Sequence, residues 1–386
     1  MSMIKFENTS ISQPHSFVQS RLTFSIFRAH VEMRSPSTFS LLQLFANAAK
    51  TVSLAPIVTT TLQRATLSTM SSHTSREEPS FRMTDDQKYL FDLNGYIVVK
   101  GVLTPDEVSE ANAVIDSKKF VERAHDDLKN AVSGTPMAGT GRKDLGGVLE
   151  WGDESKIFRS ILDHPKLVPL FHGILGEGYR MDHLPFVLAQ DKGAEGFALH
   201  GGTIDCASGI YNPHLAYTCF QNHIHCALLG CNVLLTDHNA GDGGFCVVPG
   251  SHKSNFKMPM GMVDGESYTE FIRQPVTKAG DVVLFSEGTV HGAMPWSASR
   301  QRRACLYRFA PATNAYGRSY FGHDGNGWPT AMYENLTDAQ RAVLEPPYAN
   351  RLDRPNIVPN DGSIVMTTRN ERKKEHDREV FGTKYF

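Results

Sequence analysis

The alternation of apolar and polar positions changes rhythm along this chain, and each change marks a different kind of element. From Thr84 the pattern is helical. Thr84, Asp85 and Asp86 offer N-cap chemistry for a short helix ending near Leu93, and Asn94-Gly95 stops it before the β-branched and aromatic run Tyr96-Ile97-Val98-Val99. A second helix is predicted from Thr104-Pro105-Asp106-Glu107, where Thr caps, Pro fits the first helical position and the acids complement the helix dipole. Its apolar positions Val108, Ala111, Val114 and Ile115 fall at helical spacing. Residues 134–147 are rich in Gly, Thr and Lys and read as a mobile loop, whereas 155–175 carry apolar residues suited to one or two helices. From Pro185 onward short apolar runs alternate with Gly, Asn, Asp and Pro, the signature of a sandwich or barrel. A helical preamble followed by a mainly β domain is expected.

Four pieces of the β region carry the candidate chemistry. Phe197-Ala198-Leu199-His200-Gly201-Gly202 is a strand that delivers a histidine into a glycine pair. Leu228–Leu235 reads as a buried strand followed by a turn through Asp237 and Asp242, with Gly243-Gly244 suited to positive φ. Phe245–Lys253 is a strand closed by Pro249-Gly250, after which His252 packs or hydrogen-bonds at the turn. The fourth piece, Gly280–Phe309, contains an apolar strand, then His291, then a second strand entered through Arg302 and Arg303. An imidazole and a guanidinium brought together there suit a metal-bound diacid, the one holding the metal and the other clamping the far carboxylate. Taken alone, the same residues also describe an exposed hairpin with a surface histidine and a basic turn.

Composition narrows the picture. At 386 residues with 40% hydrophobic content, the chain has material for one large domain plus tails. A net charge of −2 and a pI near 6.8 give no electrostatic case for nucleic acid, so a small-molecule partner is expected. Six cysteines without a CxxC pair read as thiols in a reducing compartment, and no run of about 18 apolar residues suggests a membrane span. Residues 1–80 stand apart: up to about position 75 they hold Lys5, Arg21, Arg28, Arg34, Lys50 and Arg64 against only Glu7 and Glu32, among many Ser and Thr. That stretch is expected to be a disordered leader, with a mitochondrial or plastid transit peptide as its functional reading and a cytoplasmic protein with a plain tail as the alternative. The folded domain is expected over 84–355, and 356–386 as a charged, solvated tail.

The quoted pieces in this order resemble the phytanoyl-CoA dioxygenase family of iron(II)- and 2-oxoglutarate-dependent oxygenases. FDLNGYIVVKGVLTPDEV at 91–108 resembles the family's opening, DGGFCVVPGSHKSNF at 242–256 its glycine turn and PGSHK signature, and GDVVLF with the following His and Arg its C-terminal half. The resemblance spans roughly residues 88–312. It implies a double-stranded β-helix, or jelly roll, with Fe(II) and 2-oxoglutarate as cofactors, ascorbate as an accessory reductant, and O2 and a small molecule as substrates. Hydroxylation of a C–H bond with release of succinate and CO2 is the implied reaction.

The family's metal site is a His-x-Asp at a strand end plus a distant His, with an Arg about eleven positions later that binds 2-oxoglutarate. Carried over residue by residue, these roles fall on His200, His291 and Arg302, with Arg303 as the neighbour on the opposite strand face. The chain departs from the pattern at Gly202, where the family has Asp. A carboxylate from elsewhere fills the gap in the first reading, with Asp205 taken as the third ligand and Glu287 as its rival. In the second reading water or chloride sits there, as in halogenases of the superfamily, which have a small residue at this position. In the third the chain has lost iron and is a non-catalytic jelly-roll binding protein. If His200 is misassigned, His214, His223 and His225 are the substitutes. Trp296, five residues after His291, is a candidate for the pocket wall.

Overall fold

The computed structural model describes residues 82–122, 134–206, 208–317, 328–347, 355–367 and 371–382. The chain divides into two units, Met1–His73 and Thr74–Phe386. The leader expected over 1–80 lies outside the described residues, and everything below concerns the second unit. Among the described residues no helix is long and apolar enough to cross a membrane.

Both N-terminal helices begin with reciprocal caps. In α1 (Asp85–Asn94) the Thr84 side chain accepts from the Gln87 N–H while Gln87 accepts from the Thr84 N–H, and in α2 (Pro105–Asp116) Thr104 and Glu107 do the same. Gly95, at φ 79°, ends α1 in the left-handed conformation and turns the chain into β1 (Tyr96–Val99). The next strands are β2 (Val121–Glu122), β3 (Arg142–Leu145), β4 (Arg180–Gln190) and β5 (Phe197–His200). After them come a hairpin of β6 (Tyr217–Phe220) and β7 (His223–Cys226), then β8 (Leu229–Leu234) and β9 (Gly244–Val247). The last of the barrel are β10 (Val282–Ser286), β11 (His291–Met294) and β12 (Arg302–Ala310).

Two sheets form a double-stranded β-helix: a seven-stranded sheet in the order β1-β10-β8-β12-β4-β3-β2 and a three-stranded sheet β5-β11-β9. Leu234, Val283, Phe285 and Ala304 of the large sheet meet Phe245 and Val247 of the small one in an apolar cluster, with the Phe245 and Phe285 rings 4.9 Å apart. Gly230, inside the buried strand β8, makes that possible, since a Cβ there would lie 2.2 Å from the Phe285 ring. On the outer side of the large sheet, α3 (Lys156–Arg159) and α4 (Val168–Leu175) complete the main core, where Phe171 packs 4.4 Å from Phe309. The six cysteines are all free, and all but Cys219 are buried.

Two segments differ from expectation. The Gly-rich stretch 134–147 contains β3, which pairs with β4 from Arg142↔Gln190 to Leu145↔Val187, so it is partly sheet rather than loop. Arg142-Lys143-Asp144-Leu145 has almost no apolar content, and its Arg142 lines the cavity between the sheets. The C-terminal stretch expected as a charged tail carries a hairpin of β13 (Asn356–Asn360) and β14 (Ser363–Thr367), whose Asn356 and Ile357 are buried; a short helix, α5 (Met260–Val263), and α6 (Asp338–Val343) precede it and α7 (Glu371–Phe381) follows.

Candidate active site

Two rungs of the facing sheets define the site. Across the small sheet, His291 of β11 is paired with His200 of β5 on one side and Val247 of β9 on the other, and the two imidazole rings lie 4.3 Å apart. Across the large sheet, Gln190 of β4 is paired with Arg302 of β12 on one side and Arg142 of β3 on the other. His200 and His291 of the first rung and Arg142 and Arg302 of the second line one cavity of about 280 Å³, whose remaining wall includes Phe186, Phe197, Phe245, Phe285, Leu306 and Arg308.

Each histidine is oriented through the same atom. Nδ1 of His200 bonds the Ala198 carbonyl at 2.9 Å, and Nδ1 of His291 bonds the Thr289 carbonyl at 2.8 Å. Because a carbonyl only accepts, each Nδ1 carries the proton and each Nε2 keeps its lone pair, the tautomer a metal ligand needs. Burial disfavours the imidazolium form of both: His200 is brought down to about 3 by burial and by the neighbouring His291, and His291 is lowered by burial despite the opposing pull of Glu287.

Arg302 is 3% exposed and donates through Nη1 to the Gln190 amide oxygen, while its Nε has no hydrogen-bond partner. Burial, together with the nearby Arg142 guanidinium, brings Arg302 down to about 10. Arg142 is held by Asp144, its Nε donating to Oδ1 at 2.8 Å, and lies 4.9 Å from the Phe197 ring centroid. A buried guanidinium beside a second cation, with an amide rather than a carboxylate as its hydrogen-bond partner, suits a site that receives an anionic ligand. Strand alternation separates Arg302 from Arg303, which points to the other face and bonds Asn112 and Asp116 of α2.

A second, polar chamber of about 230 Å³ adjoins the first and shares His200 and Arg308 with it; His183, Asn212, Tyr316, Asp205 and Glu287 help line it. Asp205, expected as the third metal ligand, stands in a turn where Oδ1 accepts from the Ser208 N–H at 2.6 Å and the Ser208 hydroxyl at 2.7 Å. Glu287 is 4% exposed, accepts from Arg308 Nε through Oε1 at 2.6 Å and brings Oε2 to 3.5 Å from His291 Nε2. Burial alone would raise the Glu287 carboxyl, but Arg308 and the two histidines hold it down at about 2. Among the described residues no group of three or more His, Cys, Asp or Glu side chains is arranged to hold a metal ion. The two imidazoles, with free Nε2 atoms at one cavity wall, nonetheless have the donor chemistry that a Fe(II) site requires.

Gly202 leaves the position of the family's carboxylate empty of side chain. A Cβ built there would meet Val290 Cγ2 at 3.4 Å and the Ile204 carbonyl at 3.5 Å, ordinary contact distances, although φ is +87°. Its neighbour Gly201 is sterically required, since a Cβ would fall 2.6 Å from the Glu287 carbonyl.

The other candidates stand apart. His223 and His225 belong to the β6–β7 hairpin, and His214 lies 6.4 Å from the Tyr316 ring. Trp296 is buried with Nε1 donating to the Arg300 carbonyl and lines neither chamber. His252 bonds the Asp92 carbonyl, as expected of a structural residue; Asp242 accepts from the Asn239 N–H in its own turn, and Asp237 from the Ala279 N–H just before β10. Sequence reading missed Arg142, Gln190 and Arg308. The alternation of β12 marks Arg308, six residues after Arg302 and on the same face, but nothing in the composition of 134–147 singles out Arg142.

The phytanoyl-CoA dioxygenase (PhyH) family matches residues 91–304. Among solved structures, HygX from Streptomyces hygroscopicus with nickel and 2-oxoglutarate bound is similar at 20% identity and a TM-score of 0.50, covering 64% of this chain and 94% of that one. The HygX structure that also holds hygromycin B aligns with the same identity and TM-score, covering 64% and 95%. No curated protein matches the chain significantly.

Proposed function

Because the chain belongs to the phytanoyl-CoA dioxygenase family, we propose that it is an iron(II)- and 2-oxoglutarate-dependent oxygenase that hydroxylates an unactivated C–H bond of a small molecule, consuming O2 and releasing succinate and CO2. The observation that carries this reading is the convergence of two Nδ1-anchored imidazoles and one buried arginine, its Nε without a hydrogen-bond partner, on a single cavity. When bound, iron supplies the dioxygen chemistry, which no side chain here performs.

The chain's own residues hold, orient and exclude water. His200 and His291 present Nε2 to the metal, and the carbonyls of Ala198 and Thr289 fix the ring planes. Arg302 offers its planar fork to the remote carboxylate of the keto diacid, and Arg142 adds positive potential at the same end of the cavity. Phe245 and Phe285 pack beside the His291 ring and keep that side dry. The polar chamber next to His200 is where the substrate is placed, its Asn212, His183 and Tyr316 offering hydrogen-bonding groups.

Anaerobic titration with iron(II) and 2-oxoglutarate tests the reading: a visible charge-transfer absorbance is expected, abolished in His291→Ala. Absence of the band in the parent protein rejects it in favour of a non-catalytic binding role. The space at Gly202 favours a second reading, in which chloride occupies that position and the product is chlorinated. Product masses from turnovers with and without chloride separate the two.

A further inference from the structure

We propose that Glu287 supplies the carboxylate that position 202 lacks, completing a His200–His291–Glu287 metal site in which Arg308 orients the carboxylate. The inference rests on the reading of His200 and His291 as metal donors.

Glu287 starts the turn between β10 and β11, four residues before His291, and that turn is packed against the Gly201–Gly202 turn: the Gly202 N–H donates to the Glu287 carbonyl at 3.3 Å. The carboxylate therefore enters the site from the chain segment adjacent to the one where the family's Asp would arise. Its Oε2 faces His291 Nε2 at 3.5 Å. With Nδ1–H committed to the Thr289 carbonyl, Nε2 presents a lone pair, and a carboxylate oxygen is also only an acceptor. Two acceptors facing each other in a buried space repel unless a cation lies between them. Two donors each about 2.1 Å from one ion and set about 90–110° apart are themselves about 3.0–3.5 Å apart.

The second oxygen is already assigned. Oε1 accepts from Arg308 Nε at 2.6 Å, so the carboxylate can serve Arg308 and an ion at once, one oxygen each, in the manner of a hydrogen-bonded metal carboxylate. Among the described residues no three such side chains already converge on one point, so metal binding must draw the three donors together. The carboxylates lining the polar chamber are Asp205 and Glu287, and Asp205 Oδ1 is taken by Ser208.

Cobalt(II) titration of the full chain, followed by calorimetry and by the visible ligand-field bands, tests the assignment without turnover. Glu287→Gln is expected to weaken Co(II) binding tenfold to a hundredfold or more and to change the bands. Because that variant leaves Arg308 buried without its partner, Arg308→Gln and the double variant Glu287→Gln/Arg308→Gln are measured beside it. Arg308→Gln alone is expected to keep affinity within about tenfold, and the double variant to fall to the level of Glu287→Gln. A carboxylate restored in Glu287→Gln/Gly202→Asp is expected to recover binding, which a merely structural role for Glu287 does not allow. Equal affinity in Arg308→Gln and the double variant overturns the proposal and points to a proton as the cation shared by Glu287 and His291. His291→Ala losing Co(II) while Glu287→Gln binds like the parent leaves the two-histidine reading standing but removes Glu287; a parent chain that binds no Co(II) removes both.

Discussion

Replacing Arg302 by Met is expected to cripple co-substrate binding while leaving the protein as stable as before or more so. The guanidinium is 3% exposed, its Nη1 donates to Gln190, and its Nε is orphaned. A bidentate pair with a carboxylate consists of two charge-assisted hydrogen bonds, each contributing about 1.5–3 kcal/mol, so losing both costs roughly 3–6 kcal/mol. At about 1.4 kcal/mol per decade, the dissociation constant of 2-oxoglutarate should rise by a factor of about 10²–10⁴. Stability moves the other way. Without ligand the buried cation has an amide partner and a repelling neighbour in Arg142, and Met of similar length removes that desolvation cost. Anaerobic calorimetry with iron(II) and 2-oxoglutarate, paired with thermal melts of the unliganded protein, gives both numbers. Met at this position with 2-oxoglutarate affinity within threefold of the parent would refute the assignment of Arg302, and a sharp loss of unliganded stability would show the arginine to be structural.

Three other outcomes follow from the same structure. Arg303→Ala should leave 2-oxoglutarate affinity unchanged but lower the melting temperature, because it cuts the contacts of β12 with Asn112 and Asp116 on α2; an effect on co-substrate binding would mean the strand faces are misassigned. Gly202→Asp should fold, since the built Cβ meets only ordinary contacts, at a cost of about 1 kcal/mol for the positive φ, and should bind iron(II) more tightly; metal titration and melts check both. His252 and His238 are lowered by burial to about 4 and about 3. The unfolded chain therefore takes up protons below about pH 6.5 that the native state refuses until about pH 3–4. Stability should fall as pH drops through that window, by about 2–3 kcal/mol per histidine at pH 4.5, and urea melts at pH 7, 5.5 and 4.5 measure it. His252→Asn should flatten the pH profile.

The sequence disclosed the elements whose local signals agree with the tertiary structure. The reciprocal caps at Thr84 and Thr104, the apolar runs of β8, β10 and β12, and the glycine turn before β9 were readable because propensity, turn chemistry and burial point the same way there. The family resemblance points to Arg302 through its offset from His291, and pairing of β11 with β5 puts His200 beside His291. What stayed hidden depends on contacts distant in sequence. Arg142 sits on a four-residue strand with a polar inner face, and its role appears only when β3 is laid beside β4 at Gln190. Glu287 is legible in the sequence only as the rival of Asp205, without the family's spacing, and its distance to His291 emerges only in the folded structure.

The pair of rungs also makes the cavity a gauge. His200 and His291 are fixed by hydrogen-bonded register in one sheet, and Arg142, Gln190 and Arg302 in the other, so the span between imidazoles and guanidinium is set by the spacing of two β-sheets rather than by loops. A diacid that bridges that span must have one particular chain length. Homologues shortened or lengthened by a methylene, such as oxaloacetate and 2-oxoadipate, should measure the tolerance of the gauge directly.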